Sequence, residues 1–274
     1  MRNSRAFKLV FICAGLAAGA PAQALEWSGS LGADVRWFDW REHIGDKQIL
    51  QEAGPLAAPV GLLELRQESF FASVEVAWGG GRTRYDGHLQ GTPAQPIGPS
   101  YDADAWEEFI DAEWRLGWLG DKGRVHFGYM QRDWNRYIEG SATVNPAEER
   151  YRWRFVTFGG EAPLFASPRW RFAVNLGVPT ESHQKVYART HDDLALEPGA
   201  GFFWRLSFPF RPEAPRYAAL SLEPYYQQHY MQESDPVRIT VGGLPTPSQA
   251  YQPASVRREL GLTLRWQLGG SGKP

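Results

Sequence analysis

Glu259-Leu260-Gly261-Leu262-Thr263-Leu264-Arg265-Trp266-Gln267-Leu268, close to the end of the chain, carries its clearest structural signal. Large apolar residues fill every second position, and polar or small residues fill the positions between them. Because successive side chains of a β-strand point to opposite faces, the stretch predicts a strand with one apolar and one polar face. A length of about ten residues suits a tilted strand that crosses a bilayer.

The same alternation recurs in nine earlier segments of the chain. The first begins near the N-terminus, and we expect it to pair with the closing strand so that the sheet forms a ring. Pro55 and Pro59 are expected outside the ladder of the second strand or at a bulge, because proline has no N–H to donate. The ten predicted strands cover about residues 27–38, 59–66, 70–78, 110–118, 125–130, 151–160, 169–178, 202–208, 218–225 and 259–268.

The connections between these strands alternate in length. Long polar segments follow the odd-numbered strands, and short connections follow the even-numbered ones. Membrane barrels have this pattern, with long extracellular loops and short periplasmic turns. The sequence therefore predicts an all-β fold, a transmembrane antiparallel up-and-down β-barrel of about ten strands. The segments predicted as long loops are 39–49, 86–105, 139–149, 183–198 and 231–254.

Residues 1–24 have the features of a signal peptide. Arg2, Arg5 and Lys8 form a basic start, Leu9 to Ala20 is an apolar run, and Ala22-Gln23-Ala24 has the form of a cleavage site. A lipoprotein signal is the alternative use of Cys13, but Phe11 and Ile12 stand where small residues are needed. We therefore predict residues 25–268 as a single outer-membrane barrel domain and 269–274 as a flexible C-terminal tail.

Composition limits the class of partner. The full chain has 29 basic and 31 acidic residues, and the signal segment removes three basic residues and no acids, which leaves a net charge of −5. This balance gives no reason to expect nucleic acid. Cys13 is the single cysteine, so the exported part has no disulfide. Outer-membrane lipid, lipopolysaccharide and the barrel assembly machinery are the expected partners, and the oligomeric state is left open.

The two faces of the strands decide between a membrane barrel and a secreted β-sandwich or lipocalin-type barrel. Ten faces rich in Trp, Phe and Leu would overfill a lumen of this width, so we expect them to face lipid. The polar faces then line the lumen, where charges must pair or stay hydrated. The predicted lumen charge network is Glu75, Asp111, Glu113, Arg115, Arg152, Arg154, Arg171, Arg205, Glu223, Glu259 and Arg265, with Arg152 and Arg154 near Asp111 and Glu113.

Candidate chemistry is confined to the predicted extracellular rim. Histidines and carboxylates are concentrated in the long loops, where they suit either a solvated rim or general acid–base work. No metal motif, no GxSxG elbow and no completed phosphate loop after Gly79-Gly80-Gly81 occurs, so no metal and no cofactor is expected.

Two family resemblances follow from these residues. The closing stretch resembles the C-terminal signal of bacterial outer-membrane barrels, although the chain ends in Gly269–Pro274. The ten-strand layout resembles the omptins, outer-membrane proteases whose second loop carries an Asp-x-Asp pair and whose fourth carries an Asp-x-His pair. That resemblance implies candidate catalytic residues at Asp86 and His88 or Asp102 and Asp104, with Glu181 and His183, or with His191-Asp192.

Three functions are consistent with these residues. The leading hypothesis is a non-catalytic integral outer-membrane protein of a Gram-negative bacterium, with a structural, surface-interaction or narrow-pore role and no catalytic residue. The first alternative is an omptin-like protease or other hydrolase with a rim site. The second is a lipid-modifying barrel that uses Ser182 and His183, although neighbouring side chains on a strand diverge.

The location is directly testable. We expect the protein to fractionate with outer membranes and to migrate differently on gels before and after heating, because closed barrels resist detergent until they are heated. Cell fractionation with heat-modifiability gels makes this measurement. Recovery as a soluble periplasmic species would rule out the membrane barrel.

Overall fold

The computed structural model describes residues 25–92, 95–141, 144–164 and 167–268. The predicted signal peptide and C-terminal tail lie outside these ranges. The described residues form β1 (Glu26–Ile44), β2 (Lys47–Gln67), β3 (Phe70–Thr92), β4 (Gln95–Gly120), β5 (Gly123–Ile138), β6 (Ala147–Leu164), β7 (Ser167–Ala188), β8 (Leu194–Leu196), β9 (Pro198–Ser207), β10 (Leu220–Ser234), β11 (Val237–Val241), β12 (Leu244–Ala250) and β13 (Ala254–Leu268), with a short 3₁₀ turn at Pro215–Tyr217.

Ten of these strands form one closed antiparallel ring. β1 to β7 follow one another around the barrel, and β9, β10 and β13 complete it. Each barrel strand pairs with two neighbours, and the pairing of β13 with β1 closes the sheet. β8 pairs with β7, and β11 pairs with β12 in a separate hairpin. The predicted fold class is confirmed.

The closing stretch lies where the sequence predicted. β1 and β13 run antiparallel from Gly29 opposite Leu268 to His43 opposite Ala254. The side chains of β13 alternate sharply, since Leu260 is 64% exposed while Glu259 beside it is 1% exposed. The apolar face therefore points away from the barrel and the polar face points into it.

The outward face carries a band of exposed apolar side chains around the barrel. Within the described residues no helix has the length and apolarity needed to cross a bilayer. Tryptophans stand near both edges of the band, as amphipathic aromatics do at membrane interfaces. They are Trp37 and Trp78 toward the extracellular edge and Trp27, Trp118, Trp170 and Trp266 toward the periplasmic edge, all exposed.

The strands are longer than predicted, and much of what was expected to be loop is strand. β1 and β2 turn tightly at Gly45-Asp46, where Gly45 has φ +58°, and β3 and β4 pair far into the region predicted as a loop. Polar residues occupy the outward face there, so the apolar alternation that marks a lipid-facing strand ends while the backbone pairing continues. The barrel thus rises above its apolar band as an extended wall.

The proline prediction was wrong. Pro55 and Pro59 both lie inside β2, opposite Trp37 and Ala33 of β1 in a continuous register. The pairing with β3 is interrupted at 54–56 and at 58–59 instead. Each strand residue donates to only one neighbour, so a proline is tolerated where its missing N–H faces the interrupted side.

The glycine triplet 79–81 packs against the same part of the wall. A Cβ at Gly80 would stand 2.0 Å from the carbonyl oxygen of Glu107, and one at Gly81 would stand 2.3 Å from that of Pro55. The triplet is required by the close approach of three strands, and its role here is structural.

We expect Gly80→Ala to destabilise the barrel by about 1–3 kcal/mol, because the added methyl group must displace backbone. Gly61→Ala is a matched control on the neighbouring strand, since its Cβ would meet only the tip of Leu31 at 3.5 Å. Urea unfolding in detergent, followed by gel migration without heating, measures both. Equal stabilities of the two variants would contradict this account of the triplet.

Candidate functional site in the barrel lumen

The extracellular half of the lumen is filled by aromatic side chains. Trp134 stacks between Phe38 and Phe109, with ring centroids 5.2 Å away on each side. Tyr151 lies 5.2 Å from both Trp40 and Trp153. Each of these six rings is at most 2% exposed, so they pack closely at this level of the lumen. We call this set, with Phe155, the aromatic plug.

A buried arginine sits inside the aromatic plug. The guanidinium of Arg257 lies 3.6 Å from the ring centroid of Trp134 and forms an ion pair with Glu259. Arg257 is 1% exposed. A cation against an aromatic face is stabilised by the ring quadrupole, most strongly where water is excluded. The positive charge therefore forms part of the packing.

The plug reverses the orientation that the sequence predicted for β6. Tyr151, Trp153 and Phe155 were expected to face lipid, but all three are buried inside the barrel. Arg152 and Arg154, predicted in the lumen, alternate with them and pair with Asp133 on the outward face of β5. This part of β6 lies above the apolar band, where the surroundings are water, so apolar residues are buried as in a soluble protein.

The remaining nine residues of the predicted network lie on inward faces, with partners that the sequence did not assign. Below the plug, Arg36 donates to Asp34 at 2.6 Å and to Glu259 at 2.7 Å. Asp111 accepts two hydrogen bonds from Arg132, at 2.8 and 3.0 Å. Asp111 thus pairs with an arginine of the adjacent strand, and the expected pairs of Asp111 and Glu113 with Arg152 and Arg154 do not form.

A second ionic layer lies closer to the periplasmic end. Glu113 pairs with Arg115 and accepts hydrogen bonds from Asn175 at 2.8 Å and Thr157 at 2.9 Å. Glu223 accepts a hydrogen bond from Arg205 at 2.9 Å and also pairs with Arg265, which reaches Glu75 at 3.1 Å. The cavities between these layers are small, about 50 and 90 Å³. At about 30 Å³ for each water, they hold a few molecules and form no wide channel.

A cluster above the plug escaped the sequence analysis. Arg136, 2% exposed, reaches Glu42 and Glu52 at 3.3 Å each and also pairs with Glu149. Burial raises the pKa of Glu42, partly offset by Arg136. Burial, together with the charge of Glu52, raises the pKa of Glu107 well above its usual range. Glu42 and Glu149 fell in segments predicted as loops, and Glu52, Glu107 and Arg136 fell just outside the predicted strands. Their alternation with outward polar residues was the available signal.

The residues proposed for an omptin-like site point outward on two separate hairpins. Asp86 lies directly opposite Asp102 on the outer face of β3 and β4, and Asp104 pairs with Arg82. The Nδ1 of His88 lies 3.3 Å from the backbone oxygen of Ile49. None of these side chains turns into the lumen.

The second group lies on β7. Glu181 Oε1 is 3.3 Å from His183 Nε2, and the ring also approaches Glu197 at 3.7 Å. Ser182 is directed inward, so its side chain diverges from His183 as neighbouring strand residues must. Within the described ranges no hydrogen bond or ion pair links the β3–β4 group to the β7 group.

Asp192 has a structural role, and the Nδ1 of His191 lies 2.7 Å from the backbone oxygen of Asp192. The carboxylate of Asp192 accepts hydrogen bonds from the backbone N–H of Gly242 at 3.1 Å and of Gly243 at 2.8 Å. The bond from Gly243 is the main cause that lowers the pKa of Asp192. Asp192 therefore holds the turn of the β11–β12 hairpin. Across the part of the chain that the structure describes, no group of three His, Cys, Asp or Glu residues is placed to hold a metal ion.

Comparison with solved structures places the fold among outer-membrane barrels. The outer membrane protease OmpT from Escherichia coli superposes with a TM-score of 0.50 at 9% identity, over 89% of this chain and 96% of that one. The translocator domain of the autotransporter NalP from Neisseria meningitidis gives 0.43 at 11% identity, over 86% and 88%. The toluene transporter TodX from Pseudomonas putida gives 0.40 at 8% identity, over 90% of both chains.

No family model and no curated protein matches the sequence. The structural likeness shows the fold alone. The chain shares its closed ten-strand layout with the OmpT structure. At this level of identity the likeness carries no activity from one protein to the other.

The ionic layer below the plug predicts a large loss of stability on truncation. Arg36→Leu should destabilise the barrel by about 3–5 kcal/mol, because it leaves the buried Asp34 and Glu259 without a partner they share. Arg41→Leu, which removes a half-exposed ion pair on the same strand, should cost less than about 1 kcal/mol. Urea midpoints in detergent compare them. A small loss for Arg36→Leu would mean that the layer is hydrated.

Proposed function

We propose that this chain is a non-catalytic outer-membrane barrel that is closed to diffusion and acts through the surface of its extracellular hairpins. The observation that carries the proposal is the filling of the lumen by the aromatic plug and by two ionic layers. The omptin-like protease is the competing function, and the arrangement of the rim residues argues against it.

Closure follows from the packing of the lumen. A molecule that crosses the barrel must pass the aromatic plug, whose rings contact one another at stacking distance. It must then separate ion pairs such as Arg36–Glu259, which are buried on both sides. Breaking a buried pair exposes two unsatisfied charges to a dry environment, which costs several kcal/mol. These barriers favour a barrel that is closed to diffusion and argue against a narrow pore.

The placement of the rim residues supports a non-catalytic role. General acid–base catalysis needs its groups within hydrogen-bonding reach of one substrate position. Asp86 and Asp102 face outward from β3 and β4, whereas His183 faces outward from β7, three strands further around the barrel. Side chains that point away from a ring at separate positions cannot meet over a common substrate.

The extracellular wall provides the surface for an interaction. The β11–β12 hairpin presents Leu244, 73% exposed, and Val241, 51% exposed, at a turn that Asp192 holds in place. Both lie in the long segment between β10 and β13, outside the strands that carry the lipid-facing band. Exposed apolar residues on a well-anchored turn suit contact with another surface molecule.

We expect the purified protein to give no large, steady conductance in planar bilayers and to leave basic peptides uncut in the presence of lipopolysaccharide. A general porin and an omptin protease, each measured in the same preparations, serve as positive controls. Steady conductance from the unmodified protein would contradict closure. Peptide cleavage that disappears in His183→Ala would favour the protease instead.

A further inference from the structure

The end of the barrel that carries the short turns, the start of β1 and the end of β13 is the periplasmic end. It contains a cavity of about 320 Å³, open at the mouth of the lumen. Its wall is formed by the first residues of β1, the last of β2 and the turn that precedes β10. At about 30 Å³ for each water, the cavity has room for about ten waters, or for a small anion with part of its hydration shell.

Arginine dominates the charge of this cavity. Arg66, Arg124 and Arg211 line it, and the acids on its wall are Glu26 and Glu64. Glu64 is already engaged on both oxygens, by Arg66 at Oε1 and by Arg124 at 2.9 Å from Oε2. Arg66 uses only its Nε in that pair, so its remaining donors are bound to no described residue.

Arg211 is the least satisfied of these arginines. It forms no ion pair with a carboxylate of the described residues. The Arg211 side chain is exposed to solvent at the mouth, and its pKa is lowered by partial desolvation and by the positive charges of Arg124, Arg66 and Arg171, against the opposing effect of Glu161. Four guanidiniums thus lie close enough to repel one another, and Glu161 is shared between Arg124 and Arg171. An anion at the mouth would relieve this repulsion.

The free guanidinium donors of Arg66 and Arg211 belong to side chains that line the same cavity. A planar guanidinium fork matches the oxygens of a phosphate group and can bind two of them at once. The cavity therefore has a donor set that suits a tetrahedral oxyanion.

We propose that the periplasmic mouth of the barrel binds a phosphate or phosphoester group, held by Arg66, Arg124 and Arg211. The cavity lies inside the barrel mouth, away from the lipid-facing side of the wall, so a soluble phosphate compound fits it better than a phospholipid headgroup. This site is at the opposite end from the hairpins of the proposed function and does not depend on it.

The test is calorimetric titration of the refolded protein in neutral detergent, at low ionic strength, with pyrophosphate. We expect saturable binding of one ligand, weakened about tenfold or more by Arg211→Gln, because a charge-assisted hydrogen bond is lost. Arg216 is an exposed arginine in the same turn, and its guanidinium lies over the ring of Tyr217. Arg216→Gln is the control and should change the affinity by less than about twofold.

Heat-modifiable migration verifies that each variant is folded, and Arg66→Gln replaces Arg211→Gln if that variant fails to fold. Absence of saturable binding by the unmodified protein, or equal losses in Arg211→Gln and Arg216→Gln, would overturn the proposal. Competition in nanodiscs identifies the source of the phosphate. Displacement of pyrophosphate by added phosphatidylglycerol, but not by phosphatidylcholine, would overturn the assignment to a soluble ligand.

Discussion

The pairing of β13 with β1 is the constraint on which the rest of this structure depends. In hydrocarbon an unpaired backbone N–H or C=O costs several kcal/mol, so a spanning sheet must have no free edge. The seam satisfies this from Gly29 to His43 without interruption. Once the ring is closed, every strand has a fixed inside and outside, and its alternating side chains must suit lipid or water on one face and the lumen on the other.

The lumen then determines which polar residues the strands can carry. A ring of ten strands has little interior space beyond its own side chains. The charges that point inward are therefore buried, and each needs a partner across the lumen. Arg36 with Asp34 and Glu259, and Glu223 with Arg205 and Arg265, satisfy this in layers. The same crowding explains why the cavities between the layers are small.

The sequence predicted the strands where one face meets lipid, because only there does a regular apolar alternation appear. It gave the seam, the strand number and the outward direction of Leu260 and Trp266. It could not give the partners of Asp111 and Glu113, since partners depend on strand stagger. It also missed Glu42, Glu52 and Arg136, because their strand segments are polar on the outside and so were not recognised as strands. Motif spacing alone also could not place the rim residues Asp86 and His183 in a common site. The direction in which each of these side chains points depends on the register of its own hairpin.

β6 shows that one strand can obey opposite burial rules along its length. Val156 and Phe158 face outward within the apolar band, as lipid requires, and Phe158 is 59% exposed. A few residues earlier, Tyr151 and Trp153 face inward and Arg152 faces out. Both segments alternate, so the period is the same, and only the solvent around the strand differs.

The level at which apolar side chains change sides therefore marks the extracellular edge of the membrane. The β1 sequence has the same change, from outward Val35 and Trp37 to inward Phe38 and Trp40. The aromatic plug is thus the hydrophobic core of a water-exposed barrel built on top of a membrane-spanning one, which is why it fills the lumen above the apolar band and leaves the ionic layers below it.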